Sequence, residues 1–413
     1  MIVRDLSPQD VDAYRALSAG AFGGREPATG PRPFNPGETP IGIDSAGLPG
    51  GADGVIAAGA RIRHDRITVG GGTATCGGIG GLAVHPAHRG NGLFGPLLTE
   101  VIARCNALGM AFSMLYPSNP SIYRRYGYQE VAREHEVLVP LGDLQRIRPV
   151  PGRRLVPVTA STMPRLRALY RELTADDNAM LLREGPLFPE GMPGDGWCAV
   201  LLQDEQGTDC GYLSWTRAAD YEAEAGLEVH EILGRTREDR RALLYSLGSW
   251  STVTATARLR LRAEDPVLDV LPSGRLQPAP GIPGIVMMRV IDTAAALEAR
   301  PAPAWLNGVI RLEVQDTTVP AGTCRAAGSW AVRAQEGRVD VTPVQDDPEA
   351  MPSADALLGT ARLDVHAASL LLTGGRSLAD ARRLGLEASA DAEAERFLDA
   401  LLAGPRPSVL DAF

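Results

Sequence analysis

From Gly80 to Tyr128 the chain reads as a strand, a tight turn, a helix, a second strand and a loop of tyrosines, and few folds accommodate that order. Leu82 and Val84 alternate with Gly81 and Ala83 as a short strand does, and Pro86 ends it because its nitrogen cannot donate to a ladder. His88-Arg89-Gly90-Asn91-Gly92 supplies two glycines that tolerate positive φ and let a ligand reach backbone N–H groups. Leu93, Leu97, Val101, Cys105 and Leu108 then fall on one helical face, and Gly109 fits the C-terminal cap. Pro96 removes one N–H, which a first turn tolerates.

A helix that opens from a glycine turn presents unpaired N–H groups and the positive end of its dipole, and Arg89 adds a guanidinium. Local charge agrees. Between Gly80 and Tyr128 stand four arginines (Arg89, Arg104, Arg124, Arg125) and one carboxylate, Glu100, although the chain as a whole carries −9. The expected guest is an anion. Gly78, Gly80 and Ala83 match G-x-G-x-x-A, but a dinucleotide site needs a helix to begin there, and Val84-His85-Pro86 continues a strand. Neither a P-loop nor a nucleophile elbow occurs.

These same residues carry a resemblance. Leu82-Ala83-Val84-His85-Pro86 followed by Arg89-Gly90-Asn91-Gly92 resembles the acyl-CoA signature Arg/Gln-x-x-Gly-x-Gly/Ala of the GNAT N-acetyltransferases, with Phe94 in the last position. Ile122-Tyr123-Arg124-Arg125-Tyr126-Gly127-Tyr128 is similar to that superfamily's tyrosine segment. The closer likeness is to the mycobacterial enhanced intracellular survival branch, which also carries a bulky residue at the position of Phe94. Met288-Arg289-Val290 through Ala296-Leu297-Glu298-Ala299-Arg300, His366-Ala367-Ala368-Ser369-Leu370 and Leu410-Asp411-Ala412-Phe413 extend it to the end of the chain.

The resemblance implies a mixed α+β and α/β fold with a GNAT domain over residues 1–145, a degenerate second GNAT-like domain over 150–285 and a sterol-carrier-protein-like α+β domain over 286–413. It implies acetyl-CoA as cosubstrate, held by Leu82, Ala83, Val84, Arg89, Gly90, Asn91, Gly92, Leu93, Phe94 and Gly95, with Ser118 and Asn119 completing the wall. Pro117 and Pro120 also let that last pair read as an ordinary rigid turn. Direct attack of an amine on the thioester needs a base, an oxyanion donor and an acid for the departing thiolate. Tyr123 is the implied acid, the Val84 N–H the implied donor and the terminal carboxylate of Phe413 the implied base. Amines of aminoglycosides or of lysine side chains are the implied acceptors, and hexamers the implied assembly. A non-catalytic acyl-CoA or lipid carrier, or a CoA sensor, is the competing class.

Composition narrows this further. All 41 basic residues are arginine, and a pI near 5.3 argues against a nucleic-acid surface and suits cationic partners. Five scattered cysteines form neither a CxxC pair nor a disulfide framework, which reads as a reducing cytoplasm. Asp5 stands where a signal peptide needs its apolar core, and no run of 18 apolar residues suggests membrane insertion. His85 and His88 lack further ligands at zinc-like spacing, so no metal is expected.

Local signals fill in the remainder. Ser7-Pro8-Gln9-Asp10 starts a helix whose Val11, Tyr14, Leu17, Ala21 and Phe22 form an apolar face. By resemblance Tyr14 and Phe22 wall the acceptor pocket; by spacing alone they are core. Arg25 to Gly51 reads as an irregular loop, and Thr236-Arg237-Glu238-Asp239 as a capping box. Further helices are expected from Ser353, His366 and Ser389.

Overall fold

The computed structural model describes residues 2–23, 33–194, 196–217, 226–272, 276–281, 284–344 and 357–411. Its strands form three sheets, and the mixed α/β architecture expected from sequence is present. In the first sheet the order is Arg4–Asp5, Glu38–Asp44, Ile56–Val69, Gly72–Val84, Phe112–Leu115, Ile285–Val290 and Gln129–Arg133, with Asn178–Leu181 pairing beside Ile56–Val69. Helix Phe94–Ala107 covers one face and buries Leu97, Leu98, Val101, Ile102 and Cys105; of the row its periodicity predicts, Leu93, Leu97, Val101 and Cys105 are buried, whereas Leu108, just past the helix end, is exposed. Each buried side chain contributes about 1.5–3 kcal/mol on leaving water.

The sheets exchange strands across the segment limits read from sequence. His135–Pro140 belongs to the second sheet, where it pairs with Thr256–Leu261. Ile285–Val290 belongs to the first, between Phe112–Leu115 and Gln129–Arg133. Asn178–Leu181, from the middle of the chain, also joins the first sheet. The third sheet runs Arg338–Pro343, Gly328–Gln335, Gly308–Gln315, Leu357–Asp364 and Ala388–Ala390, and its core is continuous with the first sheet: Phe112, Met114 and Met288 pack in one cluster with Ile310, Leu363 and Leu370. Apolar side chains on the far face of the first sheet therefore find their cover in the last third of the chain.

The N-cap expected at Ser7 and the capping box expected at Thr236 both form, the first as a full capping box. Ser7 with Asp10, and Thr236 with Asp239, satisfy first-turn donors reciprocally. Two expectations need correction. The stretch from Arg25 to Gly51 contains the strand Glu38–Asp44, held by pairing with Ile56–Val69 on one side and Arg4–Asp5 on the other rather than by local propensity, and Ser389 lies in the strand Ala388–Ala390, so the last helix starts only at Ala392. The helix expected from Ser353 begins outside the described residues. No helix among the described residues is long and apolar enough to cross a membrane.

Candidate active site

The site begins where two parallel strands part. Gly72–Val84 pairs with Phe112–Leu115 only from Cys76↔Phe112 to Ile79↔Leu115, although the longer strand continues for five more residues. On its other side it stays paired with Ile56–Val69, and His85 N–H donates to Ala57 O at 2.8 Å. Antiparallel pairs alternate, so the neighbouring position, Val84 opposite Ala58, turns its N–H and C=O away from that partner and into the gap. Arg89 confirms the direction for the carbonyl: its Nε donates to Val84 O at 3.3 Å.

A bulge produces the parting. Gly80 faces Arg61 and Ala83 faces Gly59, so the strand carries one extra residue there, and Gly81 sits at φ +61°. The Tyr14 hydroxyl donates to Gly81 O at 2.8 Å, and a Cβ on Gly81 would stand 2.3 Å from it. A Gly81→Ala protein is expected to melt earlier, by the equivalent of about 1–3 kcal/mol from backbone strain, and to bind acetyl-CoA more weakly in calorimetry. Unchanged melting and binding would show that the bulge is not needed.

The turn that follows matches expectation. Gly90 and Gly92 adopt φ +84° and +73°, and the helix starts at Phe94 with Leu93 as a cap that offers no side-chain hydrogen bond. Its first N–H groups, in Leu93, Phe94 and Gly95, are therefore uncapped, and the turn before them carries Gly92 and the exposed Arg89. This is the arrangement that takes a phosphate.

The tyrosine segment packs against this helix start. Tyr123 lies on the short helix Pro120–Arg124, its ring 5.5 Å from Phe94 and 6.1 Å from Tyr128, both edge-on. Tyr128 is fully buried and shares a 2.7 Å hydrogen bond with Ser113, so its hydroxyl is committed. The Tyr123 ring is buried too, yet its hydroxyl has no partner among the described residues, and it is not among the buried side-chain atoms lacking one. An unengaged hydroxyl thus faces accessible space. Burial pushes the phenol up to about 12.

Other predicted residues are placed differently. Asn119 caps the Tyr123 helix, its Oδ1 accepting from Ser121 N at 3.1 Å, so its carbonyl end serves the turn, and Ser118 is exposed. Tyr14 is not an open wall: it is 3% exposed, in a cluster with Leu6, Leu17, Ile56 and Ala83, where its hydroxyl holds the bulge. Phe22 projects from the end of its helix at 58% exposure. His88 is buried with Nε2 2.7 Å from Ser45 Oγ. Phe413 lies outside the described residues.

Three stretches of the sequence match family profiles. Residues 2–131 match an acetyltransferase (GNAT) domain, residues 169–290 a second acetyltransferase (GNAT) domain, and residues 293–410 a sterol carrier protein domain. The chain carries two GNAT domains and a sterol carrier protein domain. It is an acyltransferase, and domains of this kind take acetyl-CoA as cosubstrate. A search of curated proteins gives no match. Among solved structures the chain is similar to a GCN5-related N-acetyltransferase from Kribbella flavida (22% identity, TM-score 0.78, covering 100% of this chain and 98% of that one). It is also similar to one from Anabaena variabilis (18%, TM-score 0.81, 100% of both chains) and to Eis1 from Mycobacterium abscessus (21%, TM-score 0.73, 100% of both chains). At these identities the likeness is one of fold.

The second GNAT domain repeats the geometry of the first without its vacancies. Leu227–Gly234 runs parallel to Thr256–Leu261 from Leu227 to Val229, then parts from it beside a bulge at His230. Here the helix start is already satisfied: Asp239, paired with Arg153 at 2.7 Å, completes the capping box of Arg237–Gly248. The C-terminal segment crosses the parted strands. Arg260 Nη1 donates to Leu410 O at 3.1 Å, and the Leu410 side chain is buried among Tyr170, Met180 and Tyr212. Arg183 pairs with Asp411 at 3.0 Å and with Glu231, which also accepts from Tyr212 at 2.6 Å. Beyond it, Tyr116 donates to Asp411 O at 2.5 Å.

That last contact matters because Tyr116 directly follows Leu115, where the first domain's strands part. The chain's final described residue is thereby fixed beside the first GNAT cleft. Sequence reasoning singled out neither Arg183, Glu231 nor Tyr116. The one unusual local sign is the backbone of Arg183, at φ +54°, which a sequence does not display.

Proposed function

We propose that this chain is an N-acetyltransferase of the enhanced intracellular survival type, moving the acetyl group of acetyl-CoA to amines of polycationic acceptors such as aminoglycosides or lysine side chains. The acceptor nitrogen attacks the thioester carbonyl, the C–S bond breaks, and the Tyr123 hydroxyl gives its proton to the departing thiolate. The Val84 N–H receives the oxyanion. The glycine turn, Arg89 and the uncapped N–H groups through Gly95 hold the pyrophosphate. The terminal carboxylate of Phe413 takes the ammonium proton and orients the cation. Support for this last role is the anchoring of Leu410 and Asp411 beside Tyr116. Net charge of −9 suits a cationic acceptor. Hexamers and a cytoplasmic location belong to the same reading.

One observation carries the reading: a tyrosine with a buried ring and an unengaged hydroxyl, packed on the first residue of an uncapped helix. The deciding measurement is thiol release from acetyl-CoA by the purified protein with aminoglycosides, polyamines and lysine peptides. Release that depends on one class names the acceptor. Binding of acetyl-CoA without release on any acceptor would favour a sensor, and absence of binding would overturn the reading.

A further inference from the structure

Two stretches that stand apart in sequence, Met288-Arg289-Val290 and His366-Ala367-Ala368-Ser369, converge on the tyrosine segment. The Pro120–Arg124 helix has five residues, so its terminal carbonyls need partners from elsewhere. His366, near the start of helix Val365–Leu372, places Nε2 at 2.7 Å from Arg124 O. Arg289 donates through Nη1 to Tyr126 O and, at 3.0 Å, to Thr318 Oγ1, while Nη2 pairs with Asp316. Ser369 Oγ accepts from Val290 N at 3.1 Å and lies 2.7 Å from Val365 O and 3.1 Å from Gly127 O, its single proton serving one of these carbonyls.

The fit leaves no slack. Arg289 is 0% exposed, and a Cβ on Gly127, already at φ +79°, would stand 1.7 Å from its Nη1. Asp364 Oδ2 lies 3.7 Å from His366 Nδ1, so the imidazole bridges a carboxylate and a helix-end carbonyl. Both neighbours favour the imidazolium, which also complements the negative end of the short helix. Asp364, Asp316 and Thr318 all belong to the sterol carrier protein domain. Its helix Val365–Leu372 and the strand Ile285–Val290 thus meet the backbone immediately after Tyr123.

We propose that the sterol carrier protein domain, through His366, and the strand Ile285–Val290 that precedes it, through Arg289, together clamp the catalytic tyrosine: they fix the carbonyl end of the Tyr123 helix and so set the direction of its hydroxyl. The clamp rests on the reading of Tyr123 as the acid. His366 and Arg289 are positioning residues, since neither reaches the reacting atoms. A displacement on the order of 1 Å at an acid is worth up to about a hundredfold in rate, which gives such a clamp something to protect.

Arg289 is a poor first target, because its removal strands Asp316 in the interior. His366 is partly accessible, with 23% of its side chain exposed. The experiment measures kcat, KM for acetyl-CoA and melting temperature of the full chain as His366→Leu, His366→Gln, Tyr123→Phe and the double variant Tyr123→Phe/His366→Leu. His366→Leu is expected to lower kcat about tenfold with KM and melting near wild type, and His366→Gln, which retains an N–H donor, to recover most of it. In the Tyr123→Phe background His366→Leu should cost nothing further, since no hydroxyl remains to aim. An equal loss in both backgrounds marks a general structural effect and overturns the clamp. A Tyr123→Phe loss beside an unaffected His366→Leu overturns the clamp alone; wild-type kcat in Tyr123→Phe overturns the acid assignment and the clamp with it.

Discussion

Replacing Tyr123 with phenylalanine is expected to lower kcat about a hundredfold while the KM for acetyl-CoA stays close to wild type. The ring makes the packing contacts, edge-on to Phe94 and Tyr128, and phenylalanine preserves them. Only the hydroxyl is lost. It has no partner among the described residues, so its removal orphans no buried group and the melting temperature should hold. The departing thiolate then has to leave without its proton or take one from water. Because burial pushes the phenol up to about 12, the acid form persists through the neutral and mildly basic range. Ionisation of Tyr123 should therefore impose no falling limb on kcat below about pH 10. A kcat unchanged in Tyr123→Phe would remove this residue from the chemistry.

Arg183→Met is expected to be the most destabilising single change discussed, by about 3–5 kcal/mol, because it leaves a buried charge cluster without its cation. Arg183 touches Glu231 and Asp411 and lies 4.0 Å above the Tyr170 ring. Burial alone would raise Glu231, but the charge of Arg183 and the hydrogen bonds from Arg183 and Tyr212 hold it below the usual range. Burial keeps Asp411 above its usual range despite Arg183.

The pH dependence follows from these directions. In the wild type the Glu231 contribution is present above its unfolded pKa and is lost as pH falls through the lower folded value. Without Arg183, burial outweighs the remaining hydrogen bond from Tyr212, so Glu231 rises above its unfolded value, Asp411 rises further above its own, and folding then favours the protonated forms of both. Stability of the variant is lost as pH rises through those values. The difference in melting temperature between the two proteins should accordingly be larger at pH 8 than at pH 5. A constant difference across that range would mean that the cluster is not the source. The variant also frees Asp411, so a fall in kcat beyond the loss of folded protein would tie the anchored tail to catalysis.

What could be read from the sequence was what depends on near neighbours. The glycines at 90 and 92, the N-cap at Ser7, the capping box at Thr236 and the buried row from Leu97 to Cys105 are all set by spacings of a few residues, and the structure contains each of them. Tyr14 shows the limit of such reading. Its helical spacing says only that it is inward, and nothing nearby in sequence reveals the Gly81 carbonyl that receives its hydroxyl from 67 positions away. Arg183, Glu231 and Asp411 are likewise 48 and 228 positions apart in their pairings, and each in isolation is an ordinary surface charge. The strand Glu38–Asp44 was invisible for a similar reason, since its pairing with Ile56–Val69 and Arg4–Asp5 outweighs the proline and glycine within it.

The place of Ile285–Val290 in the first sheet also decides the order in which the protein can be made. The second sheet draws all its strands from between Arg133 and Ala279, so a ribosome delivers it whole while the first sheet still has a gap between Phe112–Leu115 and Gln129–Arg133. At about 5–20 residues per second, the first sheet waits on the order of ten seconds for its missing strand. During that time Phe112, Met114 and Val131 have no lasting cover. The second GNAT domain's sheet is thus the first able to finish, and a nascent chain cut short before Ile285 would leave the ribosome with its first sheet still open to chaperones and proteases.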